Sequence, residues 1–152
     1  MKENIINEIK KDLTNLLKYK TIKDNFNEIN MSLEYIKNEL KDYNIKEVMV
    51  GKYKNLIISN TKDKNLDVIF CGHIDVVPCE NYDFYEKEGK FFGRGTFDMK
   101  GQVASIMSLF KFNISNKKLA LIITSDEEIG GYCCKEIVKN YNSKLAVVPR
   151  WW

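Results

Sequence analysis

Three polar clusters in the sequence contain side chains that could bind a metal ion and activate water. The first is Gly72-His73-Ile74-Asp75, which directly follows a short apolar run and contains the only histidine of the chain. A neutral imidazole is a good zinc ligand. If the chain stays extended, His73 and Asp75 face the same side, where the carboxylate can fix the tautomer of the ring. A lone histidine is more often structural than a ligand, so this cluster by itself leaves both roles open.

The second cluster, residues 93–101, reads G-R-G-T-F-D-M-K-G. Three glycines in nine residues predict a tight loop with unusual backbone angles. Asp98 lies just before a predicted helix, so it is explained equally well as a helix N-cap or as a metal ligand. The G-x-G in this loop is weak support for dinucleotide binding, because no third glycine follows at the required spacing and no long buried strand precedes it.

The third cluster, residues 124–131, reads T-S-D-E-E-I-G-G. Its three adjacent acids, Asp126, Glu127 and Glu128, would repel one another in a compact site unless a cation lies near. A solvated acidic turn before a helix is the favoured explanation when this cluster is considered alone. Together, however, the clusters offer one imidazole and several carboxylates, and nitrogen and oxygen ligands without thiolates suit Zn²⁺, Co²⁺ or Mn²⁺.

The spacing of apolar residues predicts the elements that position these clusters. Helical spacing over Ile5–Leu17 and from Phe26 to about Asp42 predicts two amphipathic helices, and Val48–Tyr53 with Asn55–Ser59 predicts a β-hairpin. Strands alternating with helices predict one α/β domain, with a mixed, largely parallel sheet flanked by helices on both faces. Ligands bind beyond the carboxyl ends of the strands in such sheets, which is where the clusters lie. The remaining predicted elements are buried strands at Leu66–Cys71, Leu119–Thr124 and Leu145–Val148, a short strand at Phe91–Phe92, and helices after Gly101 and over Cys133–Tyr141.

The composition argues against several classes of protein. The net charge is only +3 and lysines are interspersed with acids, so there is no basic stripe for nucleic acid. No apolar run approaches the ~20 residues that span a bilayer, and the first residues lack the features of a signal peptide, so we expect a cytoplasmic protein without a membrane partner. Cys71, Cys79, Cys133 and Cys134 lack zinc-knuckle spacing, and we expect free buried thiols rather than a disulfide or a thiolate site.

In this order, the motifs G-H-I-D-V-V-P, G-R-G-T-F-D-M-K-G and S-D-E-E-I-G-G resemble a known enzyme family. It is the co-catalytic zinc metallopeptidase and deacylase family of succinyl-diaminopimelate desuccinylase, acetylornithine deacetylase, aminoacylases and bacterial glutamate carboxypeptidase. The resemblance implies a zinc-exopeptidase-like catalytic domain, of which residues 1–152 would form the N-terminal part. It also implies metal-dependent hydrolysis of an amide bond in an N-acyl amino acid or a short peptide.

The resemblance implies a role for each motif residue. His73 would bind the first of two Zn²⁺ ions (or Co²⁺ or Mn²⁺), and Asp75 would orient the imidazole. Asp98 would bridge both metals, and the peptide bond that follows it would be cis. Glu127 would act as general base and Glu128 would bind the second metal.

The sequence departs from this family pattern at its C-terminal end. The family has a further ligand carboxylate soon after the next buried strand, a late histidine and a lid or dimerisation domain, whereas this chain reads Pro149-Arg150-Trp151-Trp152 and has no second histidine. We therefore expect a truncated chain that is inactive and prone to self-association, from a parent that is a homodimer. One inserted nucleotide would turn codons for P-D-G-G into P-R-W-W, so a frameshift is one hypothesis and a natural short protein is the other.

Two other functions are possible. The chain could be a non-catalytic binding or regulatory module that pairs with a full-length homologue. A nucleotide-binding domain that rests on G-R-G is poorly supported, because the acidic turn at Asp126–Glu128 would repel phosphates.

Overall fold

Two helices open the chain, five strands follow, and helices and strands then alternate. A computed structural model describes residues 2–149. No helix in that range is long and apolar enough to cross a membrane. The helices are α1 Lys2–Leu17, α2 Phe26–Glu39, α3 Lys100–Lys111 and α4 Tyr132–Val138. The strands are β1 Asn44–Val50, β2 Tyr53–Ser59, β3 Asn65–His73, β4 Tyr85–Lys87, β5 Lys90–Phe92, β6 Leu119–Thr124 and β7 Asn142–Val147.

Five of these strands form one sheet in the order β1-β2-β6-β3-β7, and β4 and β5 form a separate two-stranded ribbon. β2 is antiparallel to both of its neighbours, whereas β3 is parallel to β6 and to β7. Every strand of the sheet except β2 therefore runs in the same direction. This arrangement confirms the predicted mixed, largely parallel sheet.

Helices cover both faces of the sheet, and the central strand β6 shows how the sequence produces this. Successive side chains of a strand point to opposite faces. Leu119, Leu121 and Ile123 pack in a core with residues of α1, α2 and α3. Ala120 and Ile122 pack in a smaller core with α4 on the other face. Because both faces are buried, β6 is a continuous apolar run rather than an alternating one.

The predicted hairpin is confirmed, but its turn lies elsewhere. The turn is Gly51-Lys52, whereas the prediction continued the first strand to Tyr53. Gly51 has a φ of 57°, a left-handed backbone conformation that glycine adopts without steric cost. Two predicted helices also end earlier than expected, at Glu39 for α2 and at Val138 for α4. Apolar spacing shows which face of a helix is buried, and it does not mark the last hydrogen-bonded turn.

The prediction of a buried strand over Leu145–Val148 is wrong in one respect. The strand exists as β7, but most of it is exposed, and Leu145 retains 55% of its accessible surface. β7 lies at the edge of the sheet, where β3 is its only partner within residues 2–149. An apolar run indicates that a strand is suited to burial, but it does not show that another element packs over it. Arg150, which occupies the expected carboxylate position, lies outside the described residues.

A buried ion cluster joins the three helices on one face. The Lys111 ammonium on α3 lies 2.8 Å from Asp12 Oδ1 and 3.2 Å from Glu8 Oε2 on α1, and it also contacts Glu39 on α2. The three acids are near enough to one another to hold a metal ion. Because the lysine already supplies the positive charge between them, we interpret this cluster as structural.

Candidate metal centre

The three polar clusters meet at the carboxyl ends of β3 and β6. β3 continues past its predicted end at Cys71 and finishes at His73, which pairs in register with Thr124 at the end of β6. A cleft of ≈ 600 Å³ opens at this edge, and its lining includes His73, Asp98 and Glu127. The carboxyl edge of the sheet is where ligands bind in folds of this kind.

The structure brings the three predicted metal ligands together. His73, Asp98 and Glu128 each offer one ligand atom, and these atoms all lie within 4.8 Å of one another. The imidazole is buried, and its Nε2 atom lies 3.2 Å from Asp98 Oδ1 and 3.8 Å from Glu127 Oε2. One nitrogen donor and several carboxylate oxygens therefore converge on one small region of the cleft. Such a donor set fits Zn²⁺, Co²⁺ or Mn²⁺.

Asp75, the predicted orienting residue, connects two of the clusters. It is buried, and its backbone carbonyl lies 3.0 Å from His73 Nδ1, nearer than its own Oδ1 atom at 3.4 Å. Its Oδ2 atom accepts a hydrogen bond of 2.9 Å from the backbone N–H of Glu128. Asp75 thus holds the imidazole with its main chain and the acidic turn with its side chain.

The electrostatics of the cluster favour a bound cation. Burial lowers the pKa of the His73 imidazole, but the hydrogen bond and charge of Asp75, together with the charge of Glu127, outweigh burial and raise that pKa to about 9. Burial raises the pKa of Glu128, the His73 charge opposes this, and the neighbouring carboxylates raise it further. A divalent cation would replace the imidazole proton and relieve the repulsion among the acids.

Asp98 is not the N-cap of α3, which was the alternative role for it. The N-cap is Met99, and no side chain among residues 2–149 caps this helix end. The Asp98 side chain is 69% exposed and reaches His73 from the loop. The Asp98–Met99 peptide bond is cis, as the resemblance implied. The loop is also tight, since a Cβ atom on Gly101 would lie 2.4 Å from the Thr96 carbonyl oxygen.

The three acids of the turn have different surroundings: Asp126 is buried, whereas Glu127 and Glu128 lie near His73. Asp126 is buried, and its Oδ2 atom accepts a hydrogen bond of 2.9 Å from the backbone N–H of Cys133 in α4. Glu127 and Glu128 lie in a short 3₁₀ turn, Glu127–Ile129, and remain partly accessible. A simple solvated turn does not describe this segment, because Asp126 anchors it and the two glutamates approach His73.

Lys100 is not among the residues that the motifs predict for the site. It is buried, and its ammonium group donates hydrogen bonds to the carbonyl oxygens of Leu16 at 3.1 Å, in the last turn of α1, and of Tyr19 at 2.7 Å, just beyond that helix. Burial lowers the pKa of this lysine to about 8. It ties the start of α3, and with it the Asp98 loop, to the first helix. The one feature of the sequence that could have pointed to Lys100 is its position inside the second motif.

Sequence comparisons identify a family and curated relatives of this chain. Residues 69–148 match Peptidase family M20/M25/M40. The succinyl-diaminopimelate desuccinylase of Rickettsia prowazekii (strain Madrid E) is 33% identical over 136 residues, which cover 76% of this chain and 35% of that protein. The enzyme of the same name from Sulfurimonas denitrificans (strain ATCC 33889 / DSM 1251) is 34% identical over 124 residues, covering 77% of this chain and 34% of that protein. The chain thus spans about a third of the length of these curated relatives.

Solved structures share the fold at low sequence identity. Human carnosine dipeptidase 1 superposes with a TM-score of 0.80 at 19% identity, covering 99% of this chain and 40% of that protein. The M20 family metallo-carboxypeptidase Sso-CP2 from Sulfolobus solfataricus superposes with a TM-score of 0.72 at 16% identity, covering 93% of this chain and 37% of that protein. At these identities the likeness concerns the fold alone.

Proposed function

This chain belongs to Peptidase family M20/M25/M40, and from that premise we propose that its residues form the N-terminal part of a site that hydrolyses an amide bond. The family is one of metallopeptidases, and its members use divalent metals. The proposed substrate is an N-acyl amino acid or a short peptide. The proposed metal is Zn²⁺, two ions per complete site, with Co²⁺ or Mn²⁺ as substitutes.

The observation that carries this proposal is the grouping of His73, Asp98 and Glu128 within 4.8 Å beside a further carboxylate. That carboxylate, Glu127, has an oxygen 3.8 Å from His73 Nε2 and lines the same cleft. A hydrolytic site needs ligands that hold the metal and a separate base that is free to move a proton. The proposal therefore assigns the first three residues to the metals and Glu127 to the proton.

Each residue has a distinct task in the proposed mechanism. His73, Asp98 and Glu128 would hold the divalent cations, which would supply a water of lowered pKa and polarise the scissile carbonyl. Glu127 would accept a proton from the attacking water and donate it to the leaving amine. Asp75 keeps the His73 ring in one orientation through its backbone carbonyl, and it positions Glu128 through the hydrogen bond from the Glu128 N–H.

We further propose that the 152 residues alone do not turn over substrate. They contain a single histidine, whereas the family pattern has a second one, so the chain supplies three ligands of a larger set. Cytoplasmic location is also part of the proposal. All four cysteines are free, which suits a reducing compartment.

The function is tested most directly in a chimera. In it, the part of this chain that aligns with the Rickettsia prowazekii relative, 76% of its length, replaces the aligned segment, and the relative supplies the rest of the protein. Glu127→Gln in this chimera is expected to lower kcat by about 10²–10⁴-fold, the usual contribution of a general base, while zinc content is unchanged. The measurements are release of the acyl group from the relative's own succinylated substrate and metal content of the purified protein.

The matched control is Glu136→Gln, which removes an equivalent carboxylate from α4, where Glu136 pairs with Lys139. It is expected to leave both kcat and zinc content unchanged. A chimera that binds zinc and is equally active with Glu127→Gln would exclude Glu127 as the base. Zinc-dependent turnover by the isolated 152-residue chain would contradict the proposal that the chain alone is inactive.

A second candidate function is a non-catalytic module that pairs with another chain, and the exposed edge of β7 supports it. An uncovered edge strand can add a further strand from a partner. In light-scattering chromatography at about 10–100 µM, we expect the chain to form dimers or larger species. Leu145→Lys on β7 should shift it toward monomer, and the control Ile114→Lys, at an equally exposed loop residue, should not. A chain that is monomeric throughout would contradict this function.

A further inference from the structure

Two free thiols lie in the wall of the cleft, and the proposed hydrolysis uses neither. Cys71 is on β3 and belongs to the smaller core, and Cys134 on α4 packs against that core. The neighbouring Cys134 thiol, together with burial, raises the pKa of Cys71, and the Cys71 thiol lowers the pKa of Cys134. Both also line the cleft, so a small solute can reach them.

The other two cysteines are placed differently. Cys133 precedes Cys134 on α4, yet its Sγ atom is directed to the backbone oxygen of Val50 at 3.9 Å and is buried. Cys79 lies in a loop, and its thiol donates to the Asn81 carbonyl oxygen at 3.0 Å. Disulfide formation requires two sulfur atoms to approach to about 2.05 Å with suitable geometry, and Cys71 and Cys134 are the two thiols that share one core and one cleft wall.

We propose that Cys71 and Cys134 are an oxidation site, at which a peroxide converts the two thiols into a reversible disulfide. The thiolate of one cysteine attacks the O–O bond of hydrogen peroxide, which forms a sulfenic acid and releases hydroxide that is protonated to water. The second thiol then attacks the sulfenic sulfur, the S–S bond forms, and a second water leaves. Two thiols are oxidised and one peroxide is reduced to two waters.

The position of this bond gives it a consequence for the candidate metal centre. Cys71 precedes His73 by two residues on β3, and Cys134 lies at the start of α4, directly after the turn that carries Glu127 and Glu128. The disulfide would join covalently the two segments that bring the imidazole and the carboxylates together. It concerns the metal centre itself and does not depend on the hydrolysis proposed above.

The experiment is disulfide mapping of the full 152-residue chain. The reduced protein is exposed to a small excess of hydrogen peroxide, remaining thiols are alkylated, and peptides are analysed by mass spectrometry without reduction. We expect one dominant intramolecular link between the Cys71 and Cys134 peptides, lost after treatment with dithiothreitol. The crosslink closes a loop of roughly 60 residues, so the midpoint of thermal unfolding should rise by roughly 5–10 °C in the oxidised protein.

Two variants give the matched comparison. Cys134→Ser should abolish the link and the rise in midpoint, whereas Cys79→Ser should retain both. The proposal is overturned if Cys71 stays fully alkylated while Cys79 is oxidised, if the main link involves Cys133, or if the links are between chains. Because the mapping is performed on the unsubstituted chain, a variant that fails to fold does not affect the main result.

Discussion

Replacing His73 with alanine is expected to weaken Zn²⁺ binding to the chain by at least about 100-fold. Loss of a residue that only orients a metal ligand commonly lowers metal affinity by about 10–100-fold, and His73 is itself a proposed ligand. His73 is the only histidine, and its buried ring is held with Nε2 3.2 Å from Asp98 Oδ1. Its removal leaves carboxylates alone, which hold Zn²⁺ less well than a set containing imidazole. Zinc affinity is measured by competition with a chromophoric chelator in the purified chain.

Two further variants make the His73 result specific. Asp75→Asn should weaken binding less than His73→Ala does, because the Asp75 backbone carbonyl, at 3.0 Å from the ring, remains in place. Glu8→Gln should have no effect on zinc affinity. If instead Glu8→Gln abolishes binding and His73→Ala does not, the metal is held by the acidic cluster around Lys111 and the proposed centre is wrong.

The convergence of His73, Asp98 and Glu128 could be predicted from sequence because the information is local. The side chains of His73 and Asp98 lie on short motifs at element ends, and a parallel sheet brings such ends to one edge. His73 pairs with Thr124 across β3 and β6, and this register brings the first and third motifs close together. The roles of these residues as ligands, of Asp75 as the orienting residue and of Glu127 as the base stay predictions.

Other features could not be predicted because they depend on contacts between distant parts of the chain. Lys100 is buried through hydrogen bonds to the end of α1, more than eighty positions earlier in the chain, and nothing beside it in the sequence indicates that. Asp126 resembles Glu127 in sequence, yet only its environment at the start of α4 makes it a structural acid. The predicted run Leu145–Val148 is as apolar as a buried strand, and its exposure depends on what lies beside it.

Replacing Lys111 with methionine is expected to destabilise the chain by about 3–5 kcal/mol, the usual cost of removing one partner from a buried ion pair. Asp12 has no accessible surface, and it would keep only the hydrogen bond of 2.7 Å from the Tyr35 hydroxyl. A loss of this size is a large part of the stability of an ordinary domain. It is measured by urea unfolding, with Lys118→Met as the control because the Lys118–Asp63 pair is exposed.

The pH dependence of the Lys111→Met effect identifies its cause. Burial raises the pKa of Asp12 above its usual value, and the hydrogen bonds from Lys111 and Tyr35 oppose that rise. Without Lys111 the pKa of Asp12 rises further, so the folded chain binds a proton more readily than the unfolded chain does. The destabilisation is therefore fully present well above that pKa and is relieved as the pH falls through it. We expect a smaller loss at about pH 5 than at about pH 8. An equal loss at both would mean that lost packing, and not the uncompensated carboxylate, destabilises the variant.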